Sequence, residues 1–374
     1  MDNLITFDMG GTSTDVCLIT GGRPLLASET YVDGLPIRTP VLDIVSVGAG
    51  GGSIAWVDDG GMLRAGPQSA GADPGPACYG RGGQQPTTTD AHVVIGTIRP
   101  EGFLGGKMKL DAAAARRVYA PLAERFSLSV EQAASAALQL ADANIVRAIQ
   151  LVSTERGRDP RDYALVPFGG AGPLHAARIA EELGIATIVI PPNAGVISAY
   201  GLVASDYTKF DAVTRKMKLD ETAAREAGKT FAEMRARLAA QFADMRLPGA
   251  LEYTHTLDMR FVGQAFEVGI EIPADRLGSL DAKYLSGLFA DAHHRTFMHG
   301  AKTDKPIEIV TLRVGATLPI DTLPKLDRAA ASASKPEKTK VFHDDGWVDC
   351  HRYPAEAEKV VGPAIIDGDR KSVV

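Results

Sequence analysis

The hydrophobic pattern of the first thirty residues reads as strand, hairpin, strand, turn, strand. Leu4-Ile5-Thr6-Phe7 is an apolar run that ends at an acidic residue, Asp8. Two glycines and three hydroxyl side chains follow in Gly10-Gly11-Thr12-Ser13-Thr14, and Asp15 closes the segment. Val16-Cys17-Leu18-Ile19 predicts a second strand, Gly21-Gly22-Arg23-Pro24 a turn, and residues 25–32 a third strand. Farther on, Asp111 is placed to cap a helix reaching Arg125. Ser129 and Gln132 form a capping-box pair for a longer helix carrying Ala133, Ala137, Leu140, Ala141, Ile145, Ala148 and Ile149, with Gly157 as its expected end. Small residues on that helix permit close packing on a sheet. Residues 163–168 predict a buried strand that enters Gly169-Gly170-Ala171-Gly172-Pro173. A helix from Leu174 to Leu183 with Gly184 as its C-terminal cap follows, then a strand over 185–190.

From about Tyr207 the pattern changes. Residues 219–246 read as one long polar helix, 251–261 and 264–272 as strands, 280–298 as a helix and 307–314 as a strand. Residues 322–340, rich in Ala, Ser, Lys and Pro, read as a linker or exposed loop, and 341–374 as β structure. The domain expectation is therefore 1–206, an α+β unit over 207–320, and 321–374. Between Gly48 and Gly83 lie twelve glycines in thirty-six residues, which disfavours helix there. Ile54, Trp56, Val57, Leu63, Cys78 and Tyr79 are packing residues, so this block reads as an ordered loop near a ligand rather than a disordered linker.

Composition narrows the function classes. A net charge of −6 without any basic tract argues against nucleic-acid binding. No apolar run approaches the ~18 residues that cross a bilayer, and no basic and apolar leader precedes the first strand, so a cytoplasmic location is expected. Three scattered cysteines, Cys17, Cys78 and Cys350, suit a reducing compartment and form neither a disulfide framework nor a thiolate metal site. His255, His293, His294 and His299 match no standard zinc spacing and read as surface or structural residues. Cys78 has no histidine in its local motif to activate it and reads as buried packing.

The chemistry sits in the glycine loops. A Gly-Gly hairpin lets main chain approach an anion, its amides and the hydroxyls of Thr12, Ser13 and Thr14 can bond phosphate oxygens, and Asp8 stands where a metal-bound phosphate arrives. On turn statistics alone an ordinary hairpin fits equally well. The Gly169–Gly172 loop before a helix N-terminus is a second nucleotide-binding candidate, with a tight packing turn as its alternative.

Several stretches together resemble the hydantoinase/oxoprolinase family, specifically its hydantoinase A subunit, which is related to the acetone carboxylase β subunit. They are Phe7-Asp8-Met9-Gly10-Gly11-Thr12-Ser13-Thr14-Asp15-Val16, Gly48-Ala49-Gly50-Gly51-Gly52-Ser53, Gly66 to Gly80 with Thr89-Asp90-Ala91, Phe168 to Ala176, Asn193-Ala194-Gly195-Val196, Met259 to Gln264 and Gly362 to Ile366. The resemblance implies an α/β fold: an RNase H-like half of an actin-like ATPase, followed by an α+β C-terminal region. It implies ATP and Mg²⁺ as cofactors, with Gly10, Gly11, Thr12, Ser13 and Thr14 on the β- and γ-phosphates and Gly169, Gly170, Ala171 and Gly172 as the adenosine loop. Asp8 would hold Mg²⁺ or orient a nucleophile. Asp90 is a weaker catalytic candidate beside a capping role, and Asp15 would brace the hairpin. The implied reaction is ATP-driven opening of a cyclic amide of the hydantoin or 5-oxoproline type, with a hydantoinase B-type partner. The alternatives are a ketone carboxylase β-like subunit, another actin-like ATPase such as a small-molecule kinase, and a non-catalytic fragment. The family carries another phosphate loop on a preceding domain, and no second acidic-Gly-Gly-Thr hairpin occurs here, so the expectation is one half of a nucleotide cleft.

Overall fold

The computed structural model describes residues 1–27, 30–32, 35–37, 41–297, 305–320, 336–354 and 360–367. The chain divides into two compact units, Met1–Leu202 with Lys325–Val374, and Val203–Pro324.

The first unit is built on strand β1, Leu4–Met9, whose alternation buries Ile5, Phe7 and Met9 and turns Asp8 toward the surface. Strand β2, Thr14–Thr20, pairs antiparallel with β1 in a register that sets Met9 opposite Thr14 and Asp8 opposite Asp15. Strand β3, Ile44–Val47, and the two-residue Arg23–Pro24 share the other edge of β2. The described residues of the expected third strand over 25–32 pair outside this sheet, and residues 28 and 29 lie outside the described residues. Leu26–Ala27 instead pairs with Val41–Leu42, and Thr30–Val32 with Leu35–Ile37.

The glycine-rich block is ordered around a hairpin of β4, Ser53–Val57, and β5, Leu63–Ser69. Helix α1, Thr88–Val94, follows, then α2, Ala112–Phe126, and α3, Val130–Val152. The caps read from sequence hold: Asp111 accepts the Ala114 amide at 2.9 Å, and Ser129 and Gln132 bond each other's amides. Strand β6, Ala164–Phe168, lies parallel to β1, with Leu4 opposite Ala164 and Asp8 opposite Phe168. Helix α4, Gly172–Leu183, ends at Gly184 in the left-handed conformation. The strand expected over 185–190 contracts to one parallel bridge, Leu165 to Ile188. The resulting order, β3-β2-β1-β6 and then Ile188, is an antiparallel meander with a parallel strand beyond β1, the pattern of the RNase H-like half. Ile5, Phe7, Val16 and Leu18 pack against Ile145 and Ile149 of α3 and Ile179 of α4.

Residues 322–335 of the expected linker lie outside the described residues. Residues 337–340 are β-strand, a correction to the linker reading. Glu337–His343 and Gly346–Tyr353 form a hairpin, and Ala364–Ile366 adds in parallel. This small sheet docks on the end of α1: Phe342 donates its amide to the Ile95 carbonyl at 2.9 Å, and the Arg352 guanidinium donates to the Gly96 and Thr97 carbonyls.

The second unit is an antiparallel sheet of β7, Tyr207–Lys218, β8, Glu252–Phe261, β9, Val268–Glu271, and β10, Ile307–Leu318, in the order β7-β10-β8-β9. The sequence pattern did not announce β7. It is a sheet edge carrying Lys209, Asp211, Arg215 and Lys216, and charge on an edge strand hides apolar alternation. Helices α5, Glu221–Ala243, and α6, Ala282–Phe297, supply Phe231, Met234, Leu238, Leu285 and Phe289 to a core closed by Leu257, Met259, Leu312 and Val314. Among the described residues no helix is long and apolar enough to cross a membrane.

His255 is buried in this core, edge-on to Phe231 and stacked on Tyr253, and neither ring nitrogen has a hydrogen-bond partner. Burial, and then the Arg235 charge, hold it below the ordinary histidine value. The unfolded chain therefore takes up a proton before the folded unit does. Stability is complete above a pH of about 6.5 and falls as the solution becomes more acidic. A melting series from pH 8 to 5 should show Tm declining below pH 6.5, and His255→Phe should flatten that decline.

Candidate functional site

Strands β1 and β6 are parallel, so their carboxyl ends and the loops that leave them share one edge of the sheet. At the end of β1 the hairpin closes with the Gly10 amide donating to the Ser13 carbonyl at 3.0 Å. The carbonyls of Gly10 and Gly11 accept from the amides of Gly51 and Gly52 at 3.0 and 2.6 Å. A Cβ on Gly50 would stand 2.6 Å from the Thr12 nitrogen, so only glycine lets this second loop back the hairpin. Thr89 fixes that loop in turn: its amide and its hydroxyl both donate to the Gly51 carbonyl at 2.8 Å. With the hairpin carbonyls satisfied from behind, the amides of Gly11, Thr12 and Ser13 have no protein acceptor among the described residues. Gly11 and Thr12 are exposed, so unpartnered main-chain N–H groups of the kind that can receive an anion lie at the surface.

Asp8 stands beside it, half-buried, with its carboxylate accepting a 2.6 Å bond from the Ser198 hydroxyl on helix Ile197–Ala204. The Gly169 loop lies against the same carboxylate. Gly169 has φ +81°, and a Cβ there would overlap Asp8 and lie 2.5 Å from the Met9 carbonyl. The Gly169 amide donates to Ala194, and the Ala171 amide to Met9, both at 3.0 Å.

The structure brings Asp8, Gly10, Gly11, Thr12, Ser13, Gly169 and Gly170 to one place. It corrects others. Thr14 is fully buried and its hydroxyl donates to the Ala49 carbonyl at 2.6 Å, so it fastens the hairpin and does not face a phosphate. Asp90, also fully buried, is not placed for catalysis: it accepts from the amides of Ala77, Cys78 and Thr87 and from the Thr87 hydroxyl, closing the capping box of α1. Of the Gly169–Gly172 loop only Gly170 is exposed; Ala171 is buried and Gly172 packs over Phe7. Asp15 pairs with the Ser46 hydroxyl at the strand edge. The Cys78 thiol is buried and pushed up by that burial and by the Asp90 charge, which disfavours the thiolate. His255 and His293 are buried in aromatic surroundings, His294 is exposed, and His299 lies outside the described residues.

Two features were missed. Ser198 reaches Asp8 across 190 positions, which no local pattern reveals. A buried chain joins three helices: the Thr97 hydroxyl to His92 Nδ1 at 2.8 Å, His92 Nε2 to His175 Nε2 at 3.2 Å, and His175 Nδ1 to Asp142 at 2.5 Å. Arg178 pairs with the other Asp142 oxygen at 2.8 Å. Burial, His175 and Arg178 hold His92 well below the ordinary histidine value. The capping box of α1 was legible as Thr87-Thr88-Thr89-Asp90.

The RNase H-like sheet, with its glycine loops and Asp8 at the carboxyl ends of parallel strands, places the chain in the actin-like ATPase fold class. The chain belongs to the hydantoinase/oxoprolinase family, whose model matches residues 1–210. It is 35% identical over 382 residues to the caprolactamase subunit alpha of Pseudomonas jessenii, covering 98% of this chain and 55% of that one. The crystal structure of the ATP-dependent caprolactamase from the same organism matches all of this chain and 56% of its own, with a TM-score of 0.79 and 33% identity. A nucleotide-free acetone carboxylase structure matches with a TM-score of 0.82 and 25% identity, again over all of this chain and 55% of that one. The chain thus spans about half the length of these relatives.

Gly169→Ala is expected to destabilise the first unit by about 1–3 kcal/mol, because the added methyl meets main chain at a positive φ; denaturant unfolding measures this. In the native protein Cys78 should resist thiol alkylation until the unit unfolds, and mass-spectrometric mapping of modified sites checks it.

Proposed function

We propose that residues 1–206 form one half of an ATP cleft in an enzyme that opens cyclic amides of the hydantoin or 5-oxoproline type. The observation that carries this reading is the set of amides at Gly11, Thr12 and Ser13 that have no protein acceptor among the described residues, beside the half-buried Asp8. Those amides and the Thr12 and Ser13 hydroxyls bind the β- and γ-phosphates, and the exposed Gly170 leaves a flat approach for the nucleoside. Asp8 fits Mg²⁺ as a single hard carboxylate, since Mg²⁺ keeps several waters and takes its other ligands from phosphate. Among the described residues no group of three or more metal-ligating side chains gathers there. ATP, when bound, would supply its γ-phosphoryl group to the ring-amide oxygen with ADP as leaving group, making the carbon an electrophile for water and phosphate the group that departs. Ser198 holds the Asp8 carboxylate in one orientation, and the Gly169 main chain shields its other side. The work of the chain is positioning and charge stabilisation at phosphate. A hydantoinase B-type subunit is the partner, in keeping with relatives that are themselves subunits. The three free cysteines and the absence of disulfides among the described residues fit a cytoplasmic location.

The test uses the full-length protein with its partner subunit. ATP hydrolysis should depend on a cyclic amide, and Asp8→Asn should lower kcat about 10²-fold with the thermal melt unchanged. Ser198→Ala should lower it by about tenfold, one oriented hydrogen bond being lost. ATP turnover stimulated by a sugar, with a phosphorylated sugar as product, would overturn the reading. The similarity to acetone carboxylase favours a second one: ketone with bicarbonate, in place of the cyclic amide, would then drive ATP turnover.

A further inference from the structure

The chain Thr97–His92–His175–Asp142–Arg178 has no part in the phosphate site, yet it ties together the helices that hold the site's loops. His92 lies on α1, three residues after Thr89, which fixes Gly51. His175 lies on α4, four residues after Ala171, whose amide is bonded to Met9. Asp142 comes from α3, between them. His92, His175 and Asp142 are 1%, 0% and 3% exposed, so the polar groups must satisfy one another without water.

A count of protons fixes the arrangement. Arg178 already balances the Asp142 charge, so an imidazolium here would be an uncompensated buried charge. His175 Nδ1 faces a carboxylate at 2.5 Å and must carry its proton there, leaving Nε2 bare. The 3.2 Å bond between the two Nε2 atoms then requires the proton to be on His92. His92 Nδ1 is left as an acceptor, so the single Thr97 hydroxyl hydrogen turns to it at 2.8 Å rather than to the His92 carbonyl at 3.0 Å, which the Ile98 amide already serves. Every ring nitrogen is satisfied and both rings are neutral.

We infer that His92 and His175 are positioning residues: as neutral imidazoles in opposite tautomers, they clamp the helix bearing the Gly169–Gly172 loop to the helix that holds the Gly50–Gly52 loop. That these loops receive a nucleotide rests on the function proposed above; the clamp itself does not.

The test has three parts on the full chain. Nitrogen-15 spectra of the ring nitrogens at pH 7 should show His175 protonated at Nδ1 and His92 at Nε2. An imidazolium, or the same tautomer for both, overturns the inference. Amide exchange at Gly51, Gly52 and Ala171, without nucleotide, should speed about tenfold in His92→Leu and stay near native in His92→Gln, whose amide keeps a donor toward His175. Native exchange in the leucine variant, or equal loosening in both, overturns the clamp. Titration with Mg-ATP should give a Kd raised about tenfold in His92→Leu and unchanged in His92→Gln. Wild-type protein that takes up no Mg-ATP overturns the nucleotide reading, while the exchange result alone decides the clamp.

Discussion

Main-chain contact between glycine loops is the constraint on which the site depends. A Cβ on Gly50 would sit 2.6 Å from the Thr12 nitrogen, and one on Gly52 would sit 2.9 Å from the Gly11 carbonyl. Because both positions are glycine, the Gly51 and Gly52 amides can reach the hairpin carbonyls from behind. A peptide unit whose carbonyl is held on one side presents its N–H on the other. The outward amides of Gly11 and Thr12 are thus a consequence of packing on the far side of the hairpin. Gly169 works similarly at Asp8, where its bare Cα allows two strand ends to close on one carboxylate.

Polar side chains around these loops divide between holding and presenting. Thr14, Thr89 and Asp90 are buried, and their oxygens are committed to main chain. Each removes a desolvated carbonyl or amide from the list of unsatisfied groups, which in a Gly- and Pro-rich block with little regular structure is most of what keeps the loop ordered. Asp8, Thr12 and Ser13 remain at or near the surface. The same residue types serve both purposes, and burial alone sorts them. The histidine chain behind α1 and α4 extends the holding class, satisfying buried polar atoms across three helices with no net charge beyond the Asp142–Arg178 pair.

The second unit rests on ordinary forces: two amphipathic helices cover one face of a four-stranded antiparallel sheet around Phe231, Phe289 and Met259. Among the described residues its charged edge strand β7 is paired on one side only, and Lys209, Arg215 and Lys216 on that strand disfavour further pairing.

Local order was legible wherever it depends on spacing of three or four residues or on alternation. The caps at Asp111 and Ser129, the left-handed Gly184, the alternation of β1 and the hairpin after Asp8 are all of that kind. What the sequence by itself determined was the capped helices, the alternating strands, the glycine loops and the family to which their motifs point. Tertiary structure decided which hydroxyl or carboxylate faces outward. Thr14 and Thr12 are two residues apart at one hairpin, yet one bonds Ala49 and the other is exposed. Asp90 stands beside Asp8 as a weaker catalytic candidate until Cys78 and Thr87 are seen donating to it. Ser198 and the His92–His175 pair are joined across 190 and 83 positions, and no periodicity encodes such contacts. The physical reason is that strand and helix periods set which face a side chain occupies, whereas burial and the partners of a polar atom depend on what other segments bring against that face.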